Sequence, residues 1–164
     1  MKYIDLGEFD FTTGKIDATD PCYDKDICCR SVVEAPKGKY IGQVAYDERE
    51  HRVCSIAIAT KASGYNNPAR SFHCRQALGI NFKEISCLGV DAGLCGFFQN
   101  KPDYSNEEWL NLCNNVFIDK DYGMLDCGFW SSSGYGDGGY PLYEHRDKNG
   151  DIDMLVINFI EFEE

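Results

Sequence analysis

The chain has 164 residues, a formal net charge of −11 and 43% hydrophobic side chains, with 13% of all residues aromatic. That length fits one domain spanning residues 1–164 with a core of its own, and the aromatic content excludes a disordered chain. The acid excess excludes nucleic-acid and anionic-membrane binding, because phosphate recognition needs a basic face and the Lys and Arg are scattered along this sequence; it leaves a soluble protein whose partner is a basic protein or a small ligand.

Met1 to Glu8 lacks the apolar run of a signal peptide, and no stretch reaches the apolar length that spans a bilayer, so the expected location is the cytoplasm. Phe9 to Ile16 alternates apolar and polar residues and predicts a hairpin closed around Thr13-Gly14. Cys22, Cys28 and Cys29 follow. With His51, His73 or His145 from elsewhere these soft ligands could form a metal set, but nine cysteines with no Cys-x-x-Cys pair match neither a zinc ribbon nor a disulfide framework. Reduced, buried thiols are the expected state.

Lys39 to Tyr46 and Arg52 to Ala59 read as two strands joined by the charged turn Asp47 to His51. Lys61 to Ile80 is rich in turn residues and carries a short helix around Arg75 to Leu78. Phe82 to Val90 predicts a further strand, broken by Asp91 to Gly96 before Phe97-Phe98. Ser105 and Glu108 form a capping box that opens a helix at Trp109. Strands then follow over Leu125 to Ser131, Tyr140 to Glu144 and Ile152 to Phe162, the last two joined by Asp147 to Gly150, with Asn149-Gly150 as a type I′ signal. Many short strands with regular turns and little helix predict a mainly β fold, an antiparallel β-sandwich or partial barrel with one or two short helices.

The chemistry concentrates where glycine and acid meet. Ser131 to Leu142 packs four glycines and Asp137 between two apolar runs, which suits a tight turn or the close approach of a ligand to bare backbone. Asp20, Asp91 and Asp137 each stand at a strand end beside proline or glycine. They could converge as hard oxygen ligands for Mg²⁺ or Ca²⁺, or each could serve its own turn, since aspartate accepts hydrogen bonds from backbone N–H groups just downstream. The candidate binding set is Asp20, Asp91, Gly93, Trp130, Ser133, Gly134, Tyr135, Gly136, Asp137 and Tyr140, and the candidate catalytic groups are Asp91, Asp137 and His145. Trp130, Tyr135 and Tyr140 read as an aromatic wall for a ligand or peptide, and Trp130 reads equally as core. Asp147, Asn149 and Asp151 lack the register of an EF-hand. The Ser131 to Ser133 run lacks the Gly-x-Ser-x-Gly elbow of a serine nucleophile, and His145 is the only base that could serve it.

Several blocks in this order resemble the bacterial domain-of-unknown-function family 4241. They are Thr13-Gly14-Lys15 with Asp20-Pro21; Pro36 to Tyr40; Arg52-Val53; Gly89-Val-Asp91-Ala-Gly93; Ser132 to Pro141; and Gly150 with Asn158-Phe159. The Gly-Val-Asp-Ala-Gly and Ser-Gly-Tyr-Gly-Asp-Gly-Gly-Tyr-Pro blocks are specific together, and the matches cover nearly the whole chain. The resemblance implies a fold more than an activity. The sequence departs from the family pattern at Asn158, where Asp is usual before Phe, and in the extra cysteines around position 28; a neutral Asn158 would weaken any acid role there.

Two functions are expected from these residues. The first is a non-catalytic binding or interaction module, of the immunity or counter-defence kind, acting through an acidic surface and the glycine-loop face. The second is a metal-dependent hydrolase or small-ligand enzyme using Asp20, Asp91 and Asp137 with Mg²⁺ or Ca²⁺, and His145 as a further group. Their meeting in one pocket, or their dispersal, separates the two.

Overall fold

β-Branched and aromatic residues at alternating positions favour a pleated backbone that buries one face, and among the described residues eleven strands form this way. The computed structural model describes residues 1–22, 30–99 and 120–162, together with Glu107 and Asn114. The Ser105–Glu108 capping box, Trp109, Cys28 and Cys29 therefore lie outside the described residues.

Two antiparallel sheets face each other. The larger is built from β1 (Lys2–Phe11), β4 (Gly38–Asp47), β5 (Arg52–Thr60), β6 (Lys83–Val90), β10 (Gly138–Arg146) and β11 (Ile152–Asn158), in the order β1-β4-β5-β11-β10-β6. The smaller holds β2 (Lys15–Thr19), β3 (Ser31–Glu34), β7 (Leu94–Phe98), β8 (Tyr122–Leu125) and β9 (Gly128–Ser132), in the order β3-β2-β7-β9-β8. This is the expected mainly β sandwich, and neither sheet closes into a barrel. Among the described residues no helix is long and apolar enough to cross a membrane.

Ile56, Ile58, Leu155 and Ile157 of the larger sheet meet Ile16, Val33, Phe97 and Phe129 of the smaller in one buried core. Burial of that apolar area, at roughly 25 cal/mol per Å², is the main force holding the sheets together. The outer face of the larger sheet carries the small residues Ala45, Cys54 and Ala57, and against them pack Ala69 and Phe72 of the short helix α1 (Pro68–His73). Gln43 of β4 fixes that helix: its side-chain oxygen accepts from the N–H groups of Ala69 and Arg70, which the first helical turn cannot satisfy internally. A second short helix, α2 (Arg75–Leu78), lies where the sequence places one, whereas α1 arises from the Pro68 start that the sequence reading passed over.

Three local expectations are corrected. Phe9 to Ile16 is not a hairpin: β1 pairs with β4 in the larger sheet and β2 with β3 and β7 in the smaller, so the chain crosses between sheets at Thr12–Gly14. Leu125 to Ser131 is not one strand, because β8 and β9 turn back on each other, with Leu125 opposite Gly128. Finally, Asn149-Gly150 is not a type I′ turn. Only Gly150 has a positive φ, of 84°, and the Asp147 carboxylate accepts from the N–H groups of Asn149 and Asp151 at 2.8 and 3.1 Å, organising a wider loop.

Among the described residues the chain passes between sheets four times, after β1, β3, β6 and β9. The crossings after β6 and β9 fall at one end of the sandwich. Those after β1 and β3 fall at the other, where the Ala35 N–H donates to the Gly14 carbonyl at 3.1 Å.

Candidate functional site

The crossings after β6 and β9 create the first candidate site. Asp20 follows β2 directly and is fully buried. A carboxylate there needs compensating hydrogen bonds, and it has them: the N–H groups of Cys22 and Asp91 donate at 2.9 Å and that of Ala92 at 2.7 Å. Asp20 thus ties the end of β2 to the turn between β6 and β7. The Ser133 N–H donates to the Gly93 carbonyl at 3.0 Å, adding the glycine loop to the same corner.

Ser133 to Asp137 then turns the chain into β10. The Gly136 N–H donates to the Ser133 carbonyl at 2.9 Å, and the Ser133 hydroxyl returns a bond to the Gly136 carbonyl at 2.8 Å. The Tyr140 hydroxyl reaches the same two carbonyls, at 2.6 Å from Gly136 and 3.0 Å from Ser133; burial is the main reason its pKa lies above the ordinary phenol value. Gly134 has a φ of 59°, and a Cβ on it would stand 3.0 Å from the Cβ of Phe159. Both the backbone conformation and the close approach require glycine. Arg52 Nη1 donates to the Gly134 carbonyl at 3.0 Å, and its guanidinium carbon sits 4.6 Å from the centre of the Tyr135 ring.

These contacts leave Tyr135 66% exposed on a loop whose polar groups bond to one another. Asp91 and Asp137 are exposed nearby, whereas Trp130, 4% exposed, packs with Cys22, Leu94 and Phe98 on the outer side of the smaller sheet. Trp130 is therefore core rather than wall. The fold brings Asp20, Asp91, Gly93, Ser133, Gly134, Tyr135, Gly136, Asp137 and Tyr140 to one end. Among the described residues, however, no group of three or more His, Cys, Asp or Glu side chains is arranged to hold a metal ion.

His145 is absent from this end. It lies near the opposite tip of β10, where a bulge shifts the β10–β11 register between His145 and Arg146 and leaves Asp153 beside the ring. His145 Nδ1 and Asp153 Oδ1 are 2.5 Å apart. A carboxylate on Nδ1 orients the imidazole and leaves Nε2 to act as base or donor. Tyr65 stands edge-on to the ring at 5.5 Å, and Phe82 lies 5.6 Å away. An open cleft of about 990 Å³ is lined here by Lys37, Lys39, Lys61, Arg146 and Lys148, with Asp147, Asp151 and Asp153 as its acids. Sequence reasoning missed this cleft because its cations come from separate turns, and only the β4, β10 and β11 pairing assembles them.

The other histidine of interest is not a catalytic base. His73 Nε2 lies 3.1 Å from the Ser55 hydroxyl, beneath the rings of Tyr3, Phe72 and Phe162. Burial, with a smaller contribution from Arg75, pushes its pKa down to about 4. The Ser131 hydroxyl is buried without a hydrogen-bond partner among the described residues, so it belongs to the packing rather than to a nucleophile. Burial likewise lifts the Cys54 thiol to about 11, which keeps it protonated and unreactive. Comparison with known proteins adds no analogue: no family model, no curated protein and no solved structure matches the chain.

Proposed function

We propose that the protein is a non-catalytic binding module whose glycine-loop end docks a basic protein partner. The observation that carries this reading is Tyr135, an exposed aromatic held on a loop locked by Ser133, Tyr140 and Arg52. A rigid aromatic contributes contact area at low entropic cost, the property of interface anchors. At the same end stand the exposed acids Glu48, Glu50, Asp91 and Asp137, which suit a cationic partner and would speed its approach. A toxin-neutralising or counter-defence role is the use that such a surface fits. Membership of domain-of-unknown-function family 4241 is part of the same proposal and rests on the Gly-Val-Asp-Ala-Gly and Ser-Gly-Tyr-Gly-Asp-Gly-Gly-Tyr-Pro blocks of the sequence, which lie at this end.

The hydrolase alternative would need the Asp20 carboxylate as a ligand, and three backbone N–H groups already occupy it. Binding assays with the Tyr135→Ala/Asp137→Asn double variant test the proposal. A partner held by the wild type, released by salt and lost by the folded variant supports it. Mg²⁺-dependent turnover of a phosphoester or peptide that disappears in Asp91→Asn overturns it.

A further inference from the structure

At the other end of the sandwich, we propose that the cleft around His145 binds a small molecule carrying several phosphate charges, of about nucleotide size. This site is separate from the glycine-loop end, so either proposal can fail without the other.

The charge distribution is the first ground. Five of the sixteen Lys and Arg residues of a strongly acidic chain line this one cleft. Cations gathered against a low-dielectric wall repel each other unless an anion lies between them. Two of the three acids that line the cleft are already engaged. Asp147 spends its carboxylate on the N–H groups of Asn149 and Asp151, and Asp153 holds His145. Arg146 is bonded to Glu144 at 2.8 Å and to the Gly150 carbonyl at 2.7 Å, with Asp151 also acting on its charge. Lys61 shares an exposed pair with Glu8 at 2.8 Å. Lys37, Lys39 and Lys148 make no hydrogen bond or ion pair among the described residues, and all three are exposed at the rim.

Direction and size are the second ground. Asp153 fixes the His145 ring through Nδ1, so Nε2 is the nitrogen left to meet a ligand oxygen. Flexible lysines at the rim with one oriented imidazole at the base suit compact, multiply charged phosphate groups; a single planar carboxylate is better matched by an arginine fork. A volume of about 990 Å³ lies at the upper end of small-molecule sites, room for more than one inorganic ion. A nucleic-acid strand would need a basic track well beyond the cleft, which a chain of net charge −11 disfavours.

Titration calorimetry at low salt, with pyrophosphate, ATP and citrate as probes, tests the proposal. The proteins are the wild type, the Lys37→Ala/Lys148→Ala double variant, His145→Gln, and a Lys2→Ala/Lys120→Ala control that removes the same charge away from the cleft. Pyrophosphate and ATP should bind once per chain and more weakly at higher salt. The cleft double variant should lose at least about tenfold in affinity, the equivalent of one charge-assisted contact. His145→Gln should lose severalfold, and the control should match the wild type. The proposal is overturned if neither phosphate binds at millimolar concentration, if citrate binds as tightly as pyrophosphate, or if the control pair weakens binding as much as the cleft pair.

Discussion

The two ends of the sandwich use their polar groups in opposite ways. At the glycine-loop end, carboxylate, hydroxyl and backbone groups bond to one another: Asp20 with three N–H groups, Ser133 with Gly136, and Tyr140 with two carbonyls. At the cleft end Asp147 and Asp153 are bonded, but lysines are left facing solvent and one nitrogen of a clamped imidazole is left over. Bonded networks confer rigidity, here even with the buried Arg52 Nε, Ser131 Oγ and Asn158 Oδ1 left unpaired among the described residues, and solvent-facing cations left over confer binding. The first end should therefore govern stability and display, and the second should govern recognition of anions.

Removing Asp20 is the strongest way to break this contrast. Asp20→Ala strips the partner from three N–H groups, that of Cys22 buried and those of Asp91 and Ala92 part-buried, and is expected to cost roughly 2 to 3 kcal/mol, read from urea unfolding, because an unpaired donor costs on the order of 1 kcal/mol, less where water reaches it. A loss below about 1 kcal/mol would show that Asp20 is not the tie between β2 and the β6–β7 turn. Acid comes next. His73 is held neutral in the folded state with a pKa of about 4, against 6.5 for the free side chain. Between those values the unfolded chain binds the extra proton, so stability falls as the pH drops from about 6.5 towards 4, by at most about 1.4 kcal/mol per pH unit and on the order of 2 kcal/mol across the window. In His73→Gln that part of the pH dependence should vanish, which melts at pH 7 and pH 4.5 would reveal.

Smaller effects sharpen the comparison further. Tyr140→Phe removes only the hydroxyl that spans the Ser133 and Gly136 carbonyls and should cost about 1 kcal/mol, accompanied by faster amide exchange at Gly136. At the cleft end Lys148→Ala, on an exposed hairpin turn, should change stability by less than about 0.5 kcal/mol. If Lys148→Ala destabilised the fold as much as Tyr140→Phe, the division between an end bonded into a network and an end with solvent-facing cations would be wrong.

Much of the fold was legible in the sequence because alternation and turn residues are local signals. The β4–β5 and β10–β11 hairpins and the break at Asp91 stand where Val, Ile and Gly place them. The failures share one cause. Alternation says that a residue faces a core but not which sheet carries it, so the change of sheet between Phe11 and Lys15 reads as an ordinary hairpin. The gathering of Asp20, Asp91 and the glycine loop was foreshadowed because each carries its own punctuation. The cleft was not, because Lys37, Lys61 and Lys148 are unremarkable alone and meet only through strand pairing. The use of Asp20 as a tertiary tie was likewise hidden, since its partners Asp91 and Ala92 lie about seventy residues downstream.

The strand order of the larger sheet has a consequence for synthesis. β5 and β6 are near neighbours along the chain, yet β11 and β10 lie between them, and every residue of β11 is buried. A ribosome delivers β11 after the other strands of this sheet, so the sheet stays split, with the inner edges of β5 and β6 unpaired, until the β10–β11 hairpin slots between them. The final hairpin is thus the keystone of the sandwich. A nascent chain lacking it should depend on chaperones, and folding should be slow, governed by the long-range closure of that gap.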